Sequence, residues 1–395
     1  MLKPEFGVHG GFERVVEHVE STLRADGHDV TRLTIEVDAL PRRPFGVAVP
    51  ADAWNAEPEF FRYLASVEAF DRLDTRRYDA VVSTQPPSFT HRHPRHLALF
   101  FHHHRIFYDL EAAYLDAGLA ADPLVHSRAG ELVRRLDQPR LDQVGWFLAG
   151  STRVAERLAD FNGRTNVSVY HAGVGVGDEA PGASASGSAA GPVLCVGRHE
   201  FPKRTELVVH AAHLLGGSRF ALVGTGGREA WARRLDRQLS TGDLDVDRLT
   251  DRDLWLNNGR IPADRPTADT EVCTNVEFCG RVDDGTLDRL YRDAPCVVAP
   301  AFDEDYGLTA VEAMRHGRPV IVCRDGGGLA ELVTDGVDGF VVEPSGPAIA
   351  AAVERLTDDP DLAAELGANG RTRAAALTWA NADDELRSAL AQVLT

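Results

Sequence analysis

Lysine is almost missing from this sequence. Lys3 and Lys203 are its only lysines, so forty of the 42 basic residues are arginine. Against 60 acidic residues this leaves a formal net charge of −18. Such a balance argues against a broad basic footprint, and nucleic acid is not an expected partner. Many acids beside few lysines suit a halophilic protein kept soluble by a strongly hydrated acidic surface. A GC-rich genome also favours arginine, and the two readings are compatible. Cysteine is scarce too. Cys195, Cys273, Cys279, Cys296 and Cys323 show no C-x-x-C spacing, which fits a reducing cytosol and speaks against structural zinc. Cys195, Cys296 and Cys323 lie in apolar, strand-like runs, where a thiol behaves as a small buried hydrophobe. No apolar run nears the roughly 18 residues of a membrane span, and no signal peptide opens the chain. The expected location is cytoplasmic, with the inner face of the cell membrane compatible through peripheral association.

What is present suits two cores. The chain has 395 residues, 44% of them hydrophobic, too long for one ordinary domain. From Gly173 to Gly191 it reads "GVGVGDEAPGASASGSAAG", which cannot bury enough apolar area to order itself and reads as a linker. It separates a first domain, 1–172, from a second beginning at 192. The second half alternates strand and helix: "PVLCVGR" (192–198), "TELVVHAAHLL" (205–215), "RFALVG" (219–224), "NVEFCG" (275–280), "DGTLDRLYRDA" (284–294), "CVVAPA" (296–301), "LTAVEAMRHG" (308–317) and "PVIVC" (319–323). The first half repeats this more weakly, with a helix at 11–26 and strands at 30–35, 80–84, 97–101 and 145–150. Short apolar strands between helices imply a parallel sheet covered on both faces. The fold expected is α/β, two tandem Rossmann-like, doubly wound domains. Residues 240–272, polar and rich in aspartate, read as an inserted surface excursion.

Ligands of such sheets sit at the carboxyl ends of the strands, so functional side chains are expected in the loops that follow them. "AFDEDYGLTAVEAM" (301–314) places Glu304 in a loop and Glu312 early in a helix. The amides of Gly307, Leu308 and Thr309 open that helix and would favour a phosphate. A carboxylate can bind sugar or ribose hydroxyls. Equally, Glu312 can be a plain helix N-terminal charge and Glu304 a solvated one, and spacing alone favours that plainer reading. After 192–198 come Arg198 and Lys203, two cations before a helix that suit a diphosphate. A lysine here, in a chain that otherwise uses arginine, suggests that a compact ammonium is needed. Gly10 and Gly11 open the first helix and permit close approach of a phosphate, or simply make a turn. Val282 follows another strand within "GRVDDGTL" (280–287) and could meet a nucleotide base; the competing reading is an aspartate-capped turn.

"HRHPRHLALFFHHHRIFYD" (91–109) is rich in His and Arg. Metal ligation is disfavoured because alternate side chains on a strand end splay apart, and His102 is the first candidate to face a ligand. "GTGGRE" (224–229) lacks the third glycine of a dinucleotide fingerprint. "DLDVD" (243–247) reads as a solvated acidic face, and no metal site is expected.

Taken together these residues resemble the retaining nucleotide-sugar glycosyltransferases of GT-B architecture, the group-one (family four) class. The resemblance rests on Gly10, Gly11, Arg14 and Val15, on "VGR" with Lys203, on "FCGRV", on Glu304 and Glu312 around "YGL", on "GGGLAELVTDGVDGFVVEP" (326–344) and on "TWANADDEL" (378–386). It implies an active site in the interdomain cleft, a donor domain at 192–375, and a helix within 376–395 that crosses back to the first domain. It implies Glu304 on the donor sugar, Glu312 on the ribose, Arg198 and Lys203 on the diphosphate, Gly11 against the same phosphates, Val282 at the base and His102 on the acceptor side. The reaction implied is transfer of a hexose with an α-linkage, from a UDP- or GDP-linked sugar to a glycan or lipid-phosphate acceptor. The resemblance implies that no cofactor or metal is required. The sequence departs from the class at "MLKPEFGVH", too short and polar for the usual first strand, so that the strand reads as truncated and a natural start further upstream is expected. It departs also at Asp305 and Tyr306, where the class has Gly-Phe. Competing readings are a sugar-nucleotide epimerase of the same architecture, a phosphorylase, for which only Lys203 could carry pyridoxal, and a non-catalytic sugar-nucleotide-binding protein.

Overall fold

The computed structural model describes residues 1–7, 10–173, 191–259 and 274–395. The Gly/Ala/Ser segment expected as a linker lies outside them except at its two ends. The chain forms two compact units, one of residues 1–173 with 378–395 and one of residues 174–377.

In the first unit, apolar runs make β1 (Leu2–Glu5), β2 (Leu33–Glu36), β3 (Val81–Ser83), β4 (His96–Phe100), β5 (Trp146–Ala149) and β6 (Val167–Val169). Between them lie α1 (Gly11–Ala25), α2 (Ala51–Ala56), α3 (Pro58–Asp71), α4 (Glu111–Asp116), α5 (Pro123–Leu141) and α6 (Thr152–Asn162). The strands pair in parallel in the order β2-β1-β3-β4-β5-β6. Phe89, Phe100, Phe147, Val154 and Leu158 pack a dry core against this sheet.

The second unit holds β7 (Val193–Val196), β8 (Phe220–Val223), β9 (Val276–Gly280), β10 (Val297–Ala299), β11 (Val320–Cys323) and β12 (Gly339–Val342). Its helices are α7 (Thr205–Leu214), α8 (Glu229–Ser240), α9 (Asp284–Asp293), α10 (Leu308–Arg315), α11 (Gly328–Glu331), α12 (Gly346–Asp358) and α13 (Pro360–Ala374). The sheet is again parallel, in the order β12-β11-β10-β7-β8-β9. The α/β, doubly wound fold expected from the sequence is the fold observed. Cys195, Cys296 and Cys323 are buried here, and burial pushes each thiol up to about 12. Cys273 lies outside the described residues.

A last helix, α14 (Trp379–Leu394), is capped by Thr378 and packs within the first unit against α1, β4 and β5. Asp383 accepts from Thr22 Oγ1 at 2.7 Å and lies 2.8 Å from His18 Nε2, while Trp379 stacks on His18 with centroids 3.8 Å apart. Glu385 accepts from the His171 amide at 2.7 Å. Among the described residues, no helix is long and apolar enough to cross a membrane.

Two sequence expectations are corrected. "MLKPEFGVH" is not too polar for a strand: β1 forms inside the sheet, with Leu2 registered on both Leu33 and Ser83. Lys3, only 3% exposed, is tolerated because its ammonium lies 2.8 Å from Glu5 and 3.9 Å from Glu13. The stretch after α8 is not wholly a surface excursion either. Leu254 and Trp255 are buried. Arg228 holds them by donating to the carbonyls of Leu254, Trp255 and Asn257 while pairing with buried Glu206 at 2.6 Å. Residues 260–273 lie outside the described set.

His96 offers a test of the first core. It is fully buried against Ser83 at 2.8 Å, and burial pulls its imidazole down to about 3. An unfolded histidine titrates near 6.5. Below that pH the unfolded chain takes up a proton that the folded chain refuses, so stability is lost as pH falls from about 6.5 toward about 3. Urea denaturation between about pH 7 and pH 4 should show a steeper loss for the wild type than for His96→Gln. Parallel curves would contradict the buried neutral imidazole.

Candidate functional site

The strand order of each sheet reverses once. In the second unit β7 leads outward to β8 and β9, and the chain then returns to place β10 on the other side of β7. β7 and β10 are therefore the pair at the strand-order reversal, and the carboxyl ends of such a pair are the usual ligand position in these sheets. In the first unit the reversal falls between β1 and β3.

The loop after β7 is shaped by glycines. A Cβ on Gly224 would stand 1.9 Å from the Gly197 oxygen, and one on Gly226 would stand 2.4 Å from the His199 oxygen. Those close approaches let His199 donate to Thr225 at 3.0 Å and accept from Arg228 at 2.8 Å. The "GTGG" run thus works as packing. The loop presents Arg198 exposed, then a single turn, Phe201–Lys203, ending on Lys203. Arg204 follows at φ +50 and caps α7.

The loop after β10 carries Glu304. Its carboxylate forms an ion pair with the Lys203 ammonium, the two side chains being 16% and 28% exposed. Sequence reasoning had placed both residues on a donor without pairing them. Backbone fixes the loop: Phe302 donates to Pro202 at 2.7 Å, Glu304 donates to Gly326 at 2.9 Å and accepts from Gly328 at 2.8 Å. Gly327, at φ +60, allows this, since a Cβ there would meet the Asp303 carboxylate at 2.7 Å. The three-glycine run after β11 therefore holds Glu304 in place.

Gly307, at φ +107, opens α10 with Leu329 packed beneath it, and the helix begins at Leu308. In the first turn Ala310 donates to the Gly307 carbonyl at 2.9 Å, the amides before it have no partner within a helix, and Thr309 Oγ1 donates to the Val196 carbonyl at 3.3 Å. Glu312 faces elsewhere: its Oε2 accepts from the Tyr291 hydroxyl at 2.9 Å. Tyr291 is buried and stacks on His316, whose Nε2 lies 2.9 Å from Asp288. The two glutamates are thus held apart in role, one on a lysine and one on a tyrosine. Val282 is half-buried in the loop after β9, where Asp283 caps α9 by accepting from Thr286 at 2.9 Å.

In the first unit, the Gly10 amide at the start of α1 donates to Glu13 Oε2 at 2.8 Å. The chain's own carboxylate occupies the place where a phosphate was expected. His102 follows β4, half-buried, with Nδ1 donating to the His103 carbonyl at 2.7 Å. In a neutral ring that bond leaves Nε2 as the acceptor nitrogen. His103 is fully buried, 2.6 Å from Asn162 Oδ1 and stacked on Tyr108. His104 lies 3.6 Å from Glu59. The histidine run thus resolves into separate partners, and no group of three metal-capable side chains occurs among the described residues. Asp243, Asp245 and Asp247 are exposed.

Sequence reasoning missed Arg204, Asp325, Tyr291 and Trp255. Arg204 adjoins Lys203 and Asp325 opens the three-glycine loop, so adjacency to those motifs was the available signal. Nothing in spacing pointed to Trp255.

Residues 263–373 match the family model for glycosyl transferases group 1. A D-inositol 3-phosphate glycosyltransferase of Streptomyces griseus is 37% identical over 121 residues, 30% of this chain and 25% of that protein. The chain spans about a quarter of the length of the curated relatives it matches. Over nearly the whole chain, 98% of it and 97% of the other, the fold matches a sucrose-phosphate synthase from Thermosynechococcus elongatus with TM-score 0.68 at 20% identity. It also matches Anabaena HepE, solved with UDP and glucose, with TM-score 0.58 at 16% identity, covering 99% and 98% of the two chains. The resemblance to the group 1 glycosyl transferases holds, on a two-sheet fold of GT-B type.

The glycine packing yields a stability test. Gly226→Ala should cost about 1–3 kcal/mol, as an overpacked site does, because the neighbouring atoms are backbone. Gly217→Ala, in open space, should be near neutral. Denaturant unfolding of both variants checks this, and equal stability would show that the loop after β7 yields freely.

Proposed function

We propose that this chain is a retaining glycosyltransferase that moves a hexose from a UDP- or GDP-linked sugar to a glycan or lipid-phosphate acceptor, with an α-linkage. The observation that carries this reading is the Lys203–Glu304 ion pair at the strand-order reversal of the second unit. A departing nucleoside diphosphate develops negative charge that must be offset where it forms. Lys203, exposed Arg198 and the amides opening α10 supply a positive field for it. When the diphosphate arrives, the ammonium has a new partner and the Glu304 carboxylate is released to the donor sugar hydroxyls. Glu312, already oriented by Tyr291, takes the ribose, and Val282 meets the base. His102 is the acceptor-side residue, with Nε2 as its proton acceptor. Gly10 and Gly11 would reach the phosphates only after Glu13 gives up the Gly10 amide. In front-face attack, the acceptor hydroxyl bonds the sugar as the diphosphate leaves, and a phosphate oxygen takes the proton. The proposal needs no divalent metal. Exposed Arg92 and Arg95 suit a phosphorylated acceptor. The names of the relatives support the class: the curated ones are called glycosyltransferases, and HepE was solved with UDP and glucose.

Nucleotide release from a panel of UDP- and GDP-sugars, with and without exhaustive chelation, tests the reading. Turnover that survives chelation is expected. An epimerised donor without transfer, or binding without turnover, would favour the competing readings. Within an active enzyme, Glu304→Gln should depress turnover while leaving affinity for the free nucleotide nearly intact. Glu312→Gln should weaken that affinity by roughly tenfold or more, the worth of a charged hydrogen bond. Equal nucleotide affinity in the two variants would refute the division of labour.

A further inference from the structure

Arg204 is the most deeply buried cation near the site. Its side chain is 0% exposed, and its backbone sits at φ +50, a left-handed conformation that side chains rarely adopt. Something must hold it there. Nε donates to the Pro300 carbonyl at 2.7 Å and Nη2 to the Ala301 carbonyl at 3.2 Å. Nη1 and Nη2 donate to the two oxygens of Asp325 at 2.9 and 2.5 Å. Trp255 and Phe302 flank the guanidinium, with ring centroids 5.2 and 5.5 Å from its carbon.

These acceptors belong to the segments that build the site. Pro300 and Ala301 begin the loop that carries Glu304. Asp325 begins the glycine loop whose backbone clamps Glu304, and its own carbonyl accepts from the Asp303 amide at 2.8 Å. Arg204 itself is the next residue after Lys203. One planar fork therefore ties the lysine's backbone to both ends of the structure that holds its partner. A lysine could not do this, because the geometry needs several donors in one plane.

We infer that Arg204, acting with Asp325, is a positioning residue that sets Lys203 against Glu304 and so fixes the diphosphate-facing cation relative to the sugar-facing carboxylate. The inference rests on the transferase reading. Arg204 touches no reacting atom; it acts through the two residues that do.

The test uses the full-length chain and the donor found active in the panel, with UDP or GDP as the binding probe. Arg204→Gly removes the guanidinium while suiting the left-handed backbone. Its kcat should fall by roughly a hundredfold, while UDP or GDP still binds at full stoichiometry and loses no more affinity than it does in Lys203→Ala, because Glu312 and Tyr291 lie on other elements. Millimolar guanidinium should restore part of the lost turnover, and Arg204→Lys should not recover it. Asp325→Asn, at a side chain 35% exposed, should lower kcat in the same direction without guanidinium rescue. It decides the matter if the glycine variant fails to fold. A kcat within about twofold of wild type in Arg204→Gly or, should that variant not fold, in Asp325→Asn would overturn the inference. So would a loss of turnover in Asp325→Asn matched by an equal loss of nucleotide-binding stoichiometry, since that reports unfolding rather than misplacement. If the wild type turns over no nucleotide sugar, the transferase reading has failed instead, and the two failures are told apart by the wild-type assay.

Discussion

Where a parallel sheet reverses its strand order, two neighbouring strands send the chain away in opposite directions. Their carboxyl ends then cannot be covered by the connections that cover every other pair. That constraint governs the second unit. The pair at the reversal is β7 and β10, and Arg198, Lys203 and Glu304 stand in the loops after those two strands. Loops in such a place would drift without support. Support comes from backbone approaching backbone, at Gly224 and Gly226 beneath one loop and at Gly327 beneath the other. A bulky residue at any of these positions would push Lys203 or Glu304 out of register.

Charge follows from the same constraint. The exposed Arg198 and the half-buried Lys203 enter a chain of net charge −18, so a cationic pocket has to be assembled locally. The ion pair with Glu304 keeps the Lys203 ammonium compensated before any ligand arrives. A half-buried pair of this kind contributes little to stability, so exchanging the carboxylate for a phosphate loses little. Glu13 at the Gly10 amide repeats the arrangement on a smaller scale, with a carboxylate resting on a helix opening that an anion could take.

Much of the second unit was legible because its strands are short, apolar and evenly interrupted. From "PVLCVGR" to "PVIVC" each expected strand and helix is present within a residue or two. Lys203 and Glu304 stood out through their position after strands. What they do to each other did not, because a contact across 101 residues of separation leaves no local pattern. Tyr291 was hidden for the same reason: it looks like one more apolar helix position until its hydroxyl meets Glu312. β1 was misjudged because hydropathy counts Lys3 as a solvated charge and cannot see Glu5 and Glu13 beside it. The stretch to Trp255 was misjudged because its many aspartates outweigh the two buried side chains that anchor it. The His-rich run was over-read as one feature, although burial sends each ring to its own partner.

In the proposed function Lys203 exchanges the Glu304 carboxylate for the diphosphate of a nucleotide donor. Titration calorimetry of the wild type and Lys203→Ala against UDP, GDP and the corresponding nucleosides tests it most directly. UDP or GDP should bind the wild type, and Lys203→Ala should lose at least about tenfold in that affinity, the loss expected for one charged hydrogen bond. Affinity for the nucleoside, which carries no phosphate, should be unchanged. Equal diphosphate affinity in the two proteins, or no binding of either nucleotide to the wild type, would contradict it.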